Sequence, residues 1–248
     1  VWLLFSNRLV IRFSRTMAYR PDWQIIRQLF RFGLPAGFQG IVMNLGGLLM
    51  LRFIGALPFS AQAQGVYSVG YTQLFSLITW TSHGLLGAAT VMAGQNLGAG
   101  HPERAVRSTH ITASIGLGLA GLVGTAFIFI PEPLLALFGM TDGPLVALGR
   151  ELLWYLAISG LFVTVAMSYT GALQGTGDTR GPFYISIVSQ LIVPVGLCTI
   201  LQATRGLEST DIWLAIVLGH MTRCLLSILR FRQGHWRRIA VDIGPTHS

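Results

Sequence analysis

Three aromatic side chains recur at helical spacing in a stretch that has no charged residue, and rings arranged in this way can hold organic cations. Tyr67, Tyr71 and Phe75 are four residues apart and would share one face of a helix. A ring attracts a cation over its face by about 0.5–2 kcal/mol. Because aromatic stripes more often pack against other helices or lipid, the packing interpretation stands beside the binding one.

A second stretch combines amides with a flexible thioether side chain. Gln39, Met43 and Asn44 precede the glycine pair Gly46 and Gly47. Met adapts its shape to irregular surfaces, and an amide supplies a few oriented hydrogen bonds, as in cavities that bind varied small molecules. The glycines would equally allow another helix to approach closely. The sequence therefore predicts either a substrate cavity or a helix contact here.

Chemistry that makes or breaks covalent bonds is not predicted from this sequence. His83 could carry a proton because imidazole titrates near neutral pH, but no Asp or Glu lies within the predicted apolar spans. Cys198 and Cys224 have no partner close in sequence. We find no nucleophile and base at catalytic spacing and no metal-ligand cluster, so we expect no enzyme activity, no metal and no cofactor.

Two polar turns punctuate the chain. Gln95 ends the long apolar stretch that contains the three rings, and its amide could cap free carbonyls. In the turn GTGDTRGP (175–182), Gly175 and Gly177 would permit positive φ and Asp178 could cap the next helix. Asp178 and Arg180 could instead form a cytoplasmic gate that changes partners, although turn chemistry alone explains the motif.

These residues must be positioned by membrane-spanning helices. Hydrophobic residues make up 52% of the chain and charged residues only 10%, and a membrane helix needs about 20 apolar residues. The pattern predicts an all-α polytopic bundle of six complete spans, preceded by the end of a seventh. The predicted spans are 32–57, 64–93, 107–130, 152–175, 183–203 and 212–229.

Arginines divide the chain and indicate its orientation. The formal charge of +8 rests on Arg, since the sequence has no Lys, and the arginines cluster on alternate loops, which the positive-inside rule places in the cytoplasm. Both chain ends would then be cytoplasmic, and the partner is a lipid bilayer rather than nucleic acid. Four segments follow: a helix end (1–13), a basic linker (14–31), a membrane lobe (32–230) and a basic tail (231–248). Arg223, near the cytoplasmic end of the last span, is expected to snorkel to the headgroups.

Three stretches are similar to the multidrug and toxic compound extrusion family. They are RFGLPAGFQG (31–40), GQNLGAGHPERA (94–105) and, most specifically, GALQGTGDTRGPFYISIVS (171–189). The resemblance covers nearly the whole chain and places it at the family's helices seven to twelve, after the end of helix six. It implies one of two pseudo-symmetric lobes around a substrate cavity in the cytoplasmic membrane, with an N-terminal six-helix lobe as its partner.

The resemblance also implies a function. Family members exchange large, often cationic, organic compounds for Na⁺ or H⁺. One branch carries acidic residues near the positions of Met43 and Val163, and neither is acidic here, so the coupling cation is expected in the N-terminal lobe. Two alternatives stay open. One is a flippase for lipid-linked oligosaccharides, which would want basic cavity residues, and the other is a structural half-protein that needs a partner lobe.

Overall fold

The first helix begins earlier than the sequence pattern predicted. The computed structural model describes residues 21–239, so the predicted helix end (1–13) and residues 240–248 lie outside the described part. Helix α1 (Trp23–Gly55) starts inside the predicted linker (14–31). The Asp22 carboxylate accepts hydrogen bonds from the backbone N–H groups of Gln24 (2.8 Å) and Ile25 (3.3 Å). This N-cap satisfies donors that a helix start leaves free, so the helix begins ahead of the predicted span, which starts at residue 32.

Residues 21–239 contain helices and turns but no β-strand, and six helical spans are long and apolar enough to cross a membrane. The prediction of an all-α membrane bundle is confirmed. The second span (Ser60–Gly98) and the fifth span (Arg180–Thr204) each contain a short π-helical segment. After α1 the elements are α2 (Ser60–Tyr67), a π-helical segment (Ser68–Leu74), α3 (Ser76–Gly98), α4 (Pro102–Phe129), α5 (Pro131–Ala136), α6 (Gly143–Gly175), α7 (Arg180–Ile187), a π-helical segment (Val188–Ile192), α8 (Val193–Thr204), α9 (Ser209–Arg232) and a 3₁₀ turn (His235–Arg238).

Several connections are shorter than predicted because prolines start helices here. Pro102 and Pro144 both lie in the first turn of a helix, where the missing N–H costs nothing and the fixed φ suits the helix. The predicted loop at 94–105 shrinks accordingly, with α3 continuing to Gly98. Gly100, with φ of 76°, then turns the chain into α4.

Helices α6 and α9 form the centre of the lobe. They are the two most buried of the six spans, and α6 packs against α3, α4 and α9. Small and hydroxylated residues make up much of the buried part of α6, including Ser159, Gly160, Thr164 and Ser168. Such residues let helix backbones approach closely within a membrane.

Glycines bring α3 and α6 into backbone contact. A Cβ atom on Gly171 would overlap the carbonyl oxygen of Leu86, and one on Gly175 would overlap that of Thr90. In the other direction, a Cβ on Gly94 would lie 2.7 Å from the Gly175 carbonyl oxygen. Gly175 has helical φ, since it is not among the positive-φ glycines, so its expected turn role is wrong. It serves close helix packing instead.

The first part of the predicted basic tail is folded back onto the lobe. Helix α9 continues to Arg232, and Gly234 with φ of 72° reverses the chain. Trp236 is 1% exposed, donates its indole N–H to the Phe231 carbonyl oxygen (2.9 Å) and stacks on the Phe231 ring. Arg237 pairs with Glu103 at 2.9 Å. These contacts join the end of α9 to the start of α4.

Candidate functional site

A small, partly open cavity lies inside the lobe, between α1, the second span, the fifth span and α9. Its volume is about 30 Å³. Met43, Tyr67 and Tyr71, three of the predicted cavity residues, meet in its wall. The lining residues combine aromatic, sulfur-containing, hydroxyl and amide side chains with glycines, and they are Met43, Gly46, Gly47, Met50, Tyr67, Tyr71, Ser189, Gln190, Pro194, Ile216, Gly219 and His220.

Close backbone contacts around this cavity hold the π-helical segment at residues 188–192 in place. A Cβ on Gly46 would lie 2.7 Å from the Gln190 carbonyl oxygen, and a Cβ on Gly219 would lie 2.6 Å from that of Ser189. Gly47, by contrast, has open space beside it and lines the cavity. Each glycine therefore has one of the two predicted roles. Gly46 allows close helix packing, and Gly47 lines the cavity.

The three predicted rings form part of a longer aromatic ladder, defined as Trp213, Tyr67, Tyr71, Phe75 and His220 in that order. Successive ring centroids are 6.2, 4.9, 5.4 and 6.0 Å apart. Trp213 and His220 are two turns apart on α9 and bracket the rings of the second span. Because the rings contact one another, the helix-packing interpretation has direct support. A role in substrate binding stays a prediction.

Gln39 and Asn44 have different surroundings although both come from α1. Gln39 is buried, and its side-chain oxygen accepts a hydrogen bond from the Gln174 amide on α6 at 2.8 Å. Asn44 is exposed and donates to the Gly40 carbonyl oxygen in its own helix at 2.9 Å. The structure thus separates Asn44 from the cavity that Met43 lines.

His83 and Gln95 both lie on exposed surface of the lobe. The His83 ring bonds through Nδ1 to the Thr79 carbonyl oxygen (2.7 Å) and contacts Trp80. Proton coupling at His83 stays a prediction. The neighbour of Gln95, Asn96, donates its side-chain amide to the Met92 carbonyl oxygen one turn back in the same helix, at 2.7 Å.

The turn after α6 is locked by a salt bridge to the last helix. Asp178 is 4% exposed, accepts from the Gly181 backbone N–H (3.1 Å) and pairs with Arg230 Nε (2.7 Å). The partner of Asp178 is therefore Arg230 on α9, whereas Arg180 is exposed. Gly177 adopts φ of 91°, as expected of a turn glycine. The cap role of Asp178 is visible, and a gating role stays a prediction.

Two ion pairs lie at the opposite end of the lobe. Arg205 contacts Asp211 at 2.6 Å, and Arg150 hydrogen-bonds to Glu132. The pKa of the Glu132 carboxyl lies below its usual range because of a backbone hydrogen bond first and the Arg150 contact second. Each pair joins two helices that are consecutive in the chain.

Arg223 departs most from expectation. It is 2% exposed and lies between helices, with Nη1 at 3.5 Å from the Met43 sulfur and Nη2 at 3.7 Å from the Met167 sulfur. The prediction that it snorkels to headgroups is wrong, because its face of α9 turns into the lobe. His220, one turn away on the same helix, also faces into the lobe and lines the cavity, and the spacing of the two basic residues is the sequence signal that marks this face.

Among residues 21–239, no group of three or more His, Cys, Asp or Glu side chains could hold a metal ion. The chemistry available in the interior is therefore hydrogen bonding, aromatic contact and one buried positive charge. Six apolar spans around such an interior define a multi-pass membrane protein.

Comparison with known proteins identifies the family. The MatE family model matches residues 35–200, more than half of the chain. The chain therefore belongs to the MatE family of multidrug efflux transporters.

Curated relatives share sequence over nearly all of this chain but are about twice as long. The probable multidrug resistance protein NorM of Thermotoga maritima is 23% identical over 221 residues, which are 89% of this chain and 47% of that protein. NorM of Xanthomonas axonopodis pv. citri is 28% identical over 229 residues, 91% of this chain and 48% of that protein. The chain spans about half the length of the relatives it matches.

Solved structures show the same fold. An outward-facing multidrug resistance MATE family transporter of the MOP superfamily superposes with a TM-score of 0.85 at 17% identity, over 96% of this chain and 53% of that one. A eukaryotic MATE transporter gives a TM-score of 0.80 at 19% identity, over 95% and 52% respectively. The chain thus has the size and fold of one lobe of these transporters.

Proposed function

We propose that this chain is the C-terminal six-helix lobe of an antiporter that exports organic, often cationic, compounds in exchange for Na⁺ or H⁺. The observation that carries the proposal is the MatE match together with coverage of only about half of each relative. Those relatives are described as probable multidrug resistance proteins. A second six-helix lobe would complete the transporter, and the substrate would bind between the lobes while they rock against each other.

The interior of this lobe supports placing the coupling cation in the other lobe. A membrane cation site needs carboxylates or other oxygen ligands at depth, and the predicted spans hold no Asp or Glu. Val163 is buried and Met43 lines the interior cavity, so the two positions that are acidic in one branch of the family are apolar here. The buried charge of Arg223 would also repel a cation bound nearby.

The arrangement of arginines supports the proposed orientation in the cytoplasmic membrane. Arg31, Arg180 and Arg230 line one opening of about 270 Å³ at the same end of the lobe. Arg237 lies against the start of α4 through Glu103. The excess of positive charge at this end favours a cytoplasmic location for it.

The test is dye accumulation in bacteria that lack their own efflux pumps. Cells would express the 248-residue chain alone, the chain together with a six-helix N-terminal lobe, or an empty vector. We expect only the two-lobe protein to lower accumulation of a cationic dye. In proteoliposomes, a Na⁺ or pH gradient should then drive export. Export by the two-lobe protein in the absence of either gradient would contradict antiport, and export by the short chain alone would contradict the need for a second lobe.

A matched pair of variants tests the aromatic contribution. Tyr71→Ala removes a ring that lines the interior cavity, and Tyr184→Ala removes one that is 62% exposed. We expect Tyr71→Ala to raise dye accumulation and Tyr184→Ala to leave it unchanged at equal membrane expression. Equal effects of the two substitutions would argue that the ladder has no part in transport.

A further inference from the structure

Arg223 is a buried cation without a counter-charge among the described residues. Its two Nη groups point at methionine sulfurs, which are weak acceptors. Its Nε–H has no hydrogen-bond partner, and none of the ion pairs within residues 21–239 includes it. Burying an unpaired charge costs several kcal/mol. The interior of the lobe therefore lacks a negative group that Arg223 requires.

Other buried polar groups on α9 also lack hydrogen-bond acceptors. Trp213 Nε1, His220 Nδ1 and Ser227 Oγ are all buried and have no partner in the described part of the chain. Their spacing puts them on the Arg223 face of the helix. Trp and Arg side chains can only donate, and the other two can donate. Of these three groups, His220 borders the interior cavity, so a ligand that accepts hydrogen bonds there would satisfy it.

There is room for a small ligand beside these groups. His220 and Ser189, whose hydroxyl is also unpartnered, line the interior cavity of about 30 Å³. Met43 lines the cavity as well and contacts Arg223, so one flexible thioether side chain separates the guanidinium from the void. Since about 10–15 Å³ is enough for one water, the cavity fits one small ion or two waters but no drug or phosphate ester.

We propose that the lobe binds one small monovalent anion of halide size in this cavity, against His220 and Ser189, with Arg223 as its counter-charge on the far side of the Met43 side chain. The anion supplies the missing counter-charge and accepts hydrogen bonds from His220 and Ser189, the two unpartnered polar groups that line the cavity. It would also fix α9 against the π-helical segment at residues 188–192, because its ligands come from both elements. Site and ligand are independent of which compound the transporter exports.

Thermal unfolding of the protein purified in detergent tests the proposal. The sodium gluconate of the buffer would be replaced by sodium chloride or bromide at constant ionic strength. We expect a saturable rise in Tm with either halide. Arg223→Gln should abolish the rise and Arg223→Lys should retain most of it. The matched control is Arg52→Gln, which removes one exposed arginine and should respond to halide as the unsubstituted protein does.

A crystal soaked in bromide provides a test that no variant's folding can obscure. We expect anomalous density in contact with His220 and Ser189 in the unsubstituted protein. A cavity filled by water only, at saturating bromide, would overturn the proposal. So would an equal Tm in halide and gluconate, or a halide response of folded Arg223→Gln that matches the response of Arg52→Gln.

Discussion

Replacing Gly171 by Ala should push α3 away from α6 and lower the stability of the lobe. The new Cβ would overlap the Leu86 carbonyl oxygen and lie 3.0 Å from the Leu86 Cα. These are backbone atoms inside a helix, so no side-chain rotation can relieve the clash. Overpacking of this kind costs about 1–3 kcal/mol, whereas Ala in place of Gly gains about 0.5–1 kcal/mol in a helix. The cost of the clash exceeds the gain in helix propensity, so we expect the free energy of unfolding to fall by about 1–2 kcal/mol.

Buried thiols provide the assay for this prediction. Cys198 and Cys224 are free and buried, so a thiol-reactive dye labels them only as the lobe unfolds. At about 2–4 °C per kcal/mol for a chain of this size, Gly171→Ala should lower Tm by about 2–8 °C. Gly118→Ala is the matched control, since its Cβ would meet nothing within 4 Å, and Tm should stay or rise slightly. If both substitutions raise Tm, the inferred backbone contact between α3 and α6 is wrong.

Three further substitutions address the end of the lobe where the turn and the last helix meet. Asp178→Asn weakens the bond to Arg230 and should cost about 1.5–3 kcal/mol, the range for hydrogen bonds to charged groups. Gly177→Ala forces a side chain to adopt φ of 91° and should cost about 1–2 kcal/mol. Trp236→Ala should release the 3₁₀ turn, speed tryptic cleavage after Arg237 and lower Tm, because it empties a buried site.

Each of these has its own control. Arg180→Gln removes an exposed charge next to Asp178 and should leave Tm unchanged, so an equal loss in both variants would contradict the Asp178–Arg230 bond. Gly139 also has positive φ, 75°, with open space around it, and Gly139→Ala should cost as much as Gly177→Ala if backbone strain alone is responsible. Trp80→Ala removes a ring that is 76% exposed and should not alter cleavage after Arg237.

The number of spans and the shared faces were predictable from sequence because both follow from local periodicity. Apolar runs of about 20 residues fix the number of membrane helices. A spacing of four residues predicted that Tyr67, Tyr71 and Phe75 share one face, and their rings are in contact. Boundaries were less predictable. Pro102 and Pro144 lie outside the predicted spans but start helices, since proline disfavours helix interiors and suits first turns.

Partners distant in sequence were not predictable, because periodicity says which residues share a face and not what the face meets. Asp178 pairs with Arg230, 52 positions away, and nothing local distinguishes Arg230 from Arg180. Arg223 lies close enough to a helix end to reach the headgroups, yet its direction around the helix axis points it at Met43 and Met167. Gly175 was assigned to a turn because glycine in a loop motif suggests positive φ, and a neighbouring backbone was the real reason.

The π-helical segment at residues 68–74 has a consequence for the alignment of the rings. In an uninterrupted α-helix, residues four apart advance about 40° past a full turn, so Tyr67, Tyr71 and Phe75 would fan out by about 80°. Here the Phe75 N–H bonds to the Gly70 carbonyl oxygen, five residues back, at 2.9 Å, and this wider turn absorbs one extra residue. The angle between the three side chains around the helix axis is therefore smaller, and the rings lie above one another along the helix. Deleting one residue from this segment would restore α winding and rotate everything beyond it by about 100°, so the winding of the backbone sets which face Phe75 and the rest of the span present to α9.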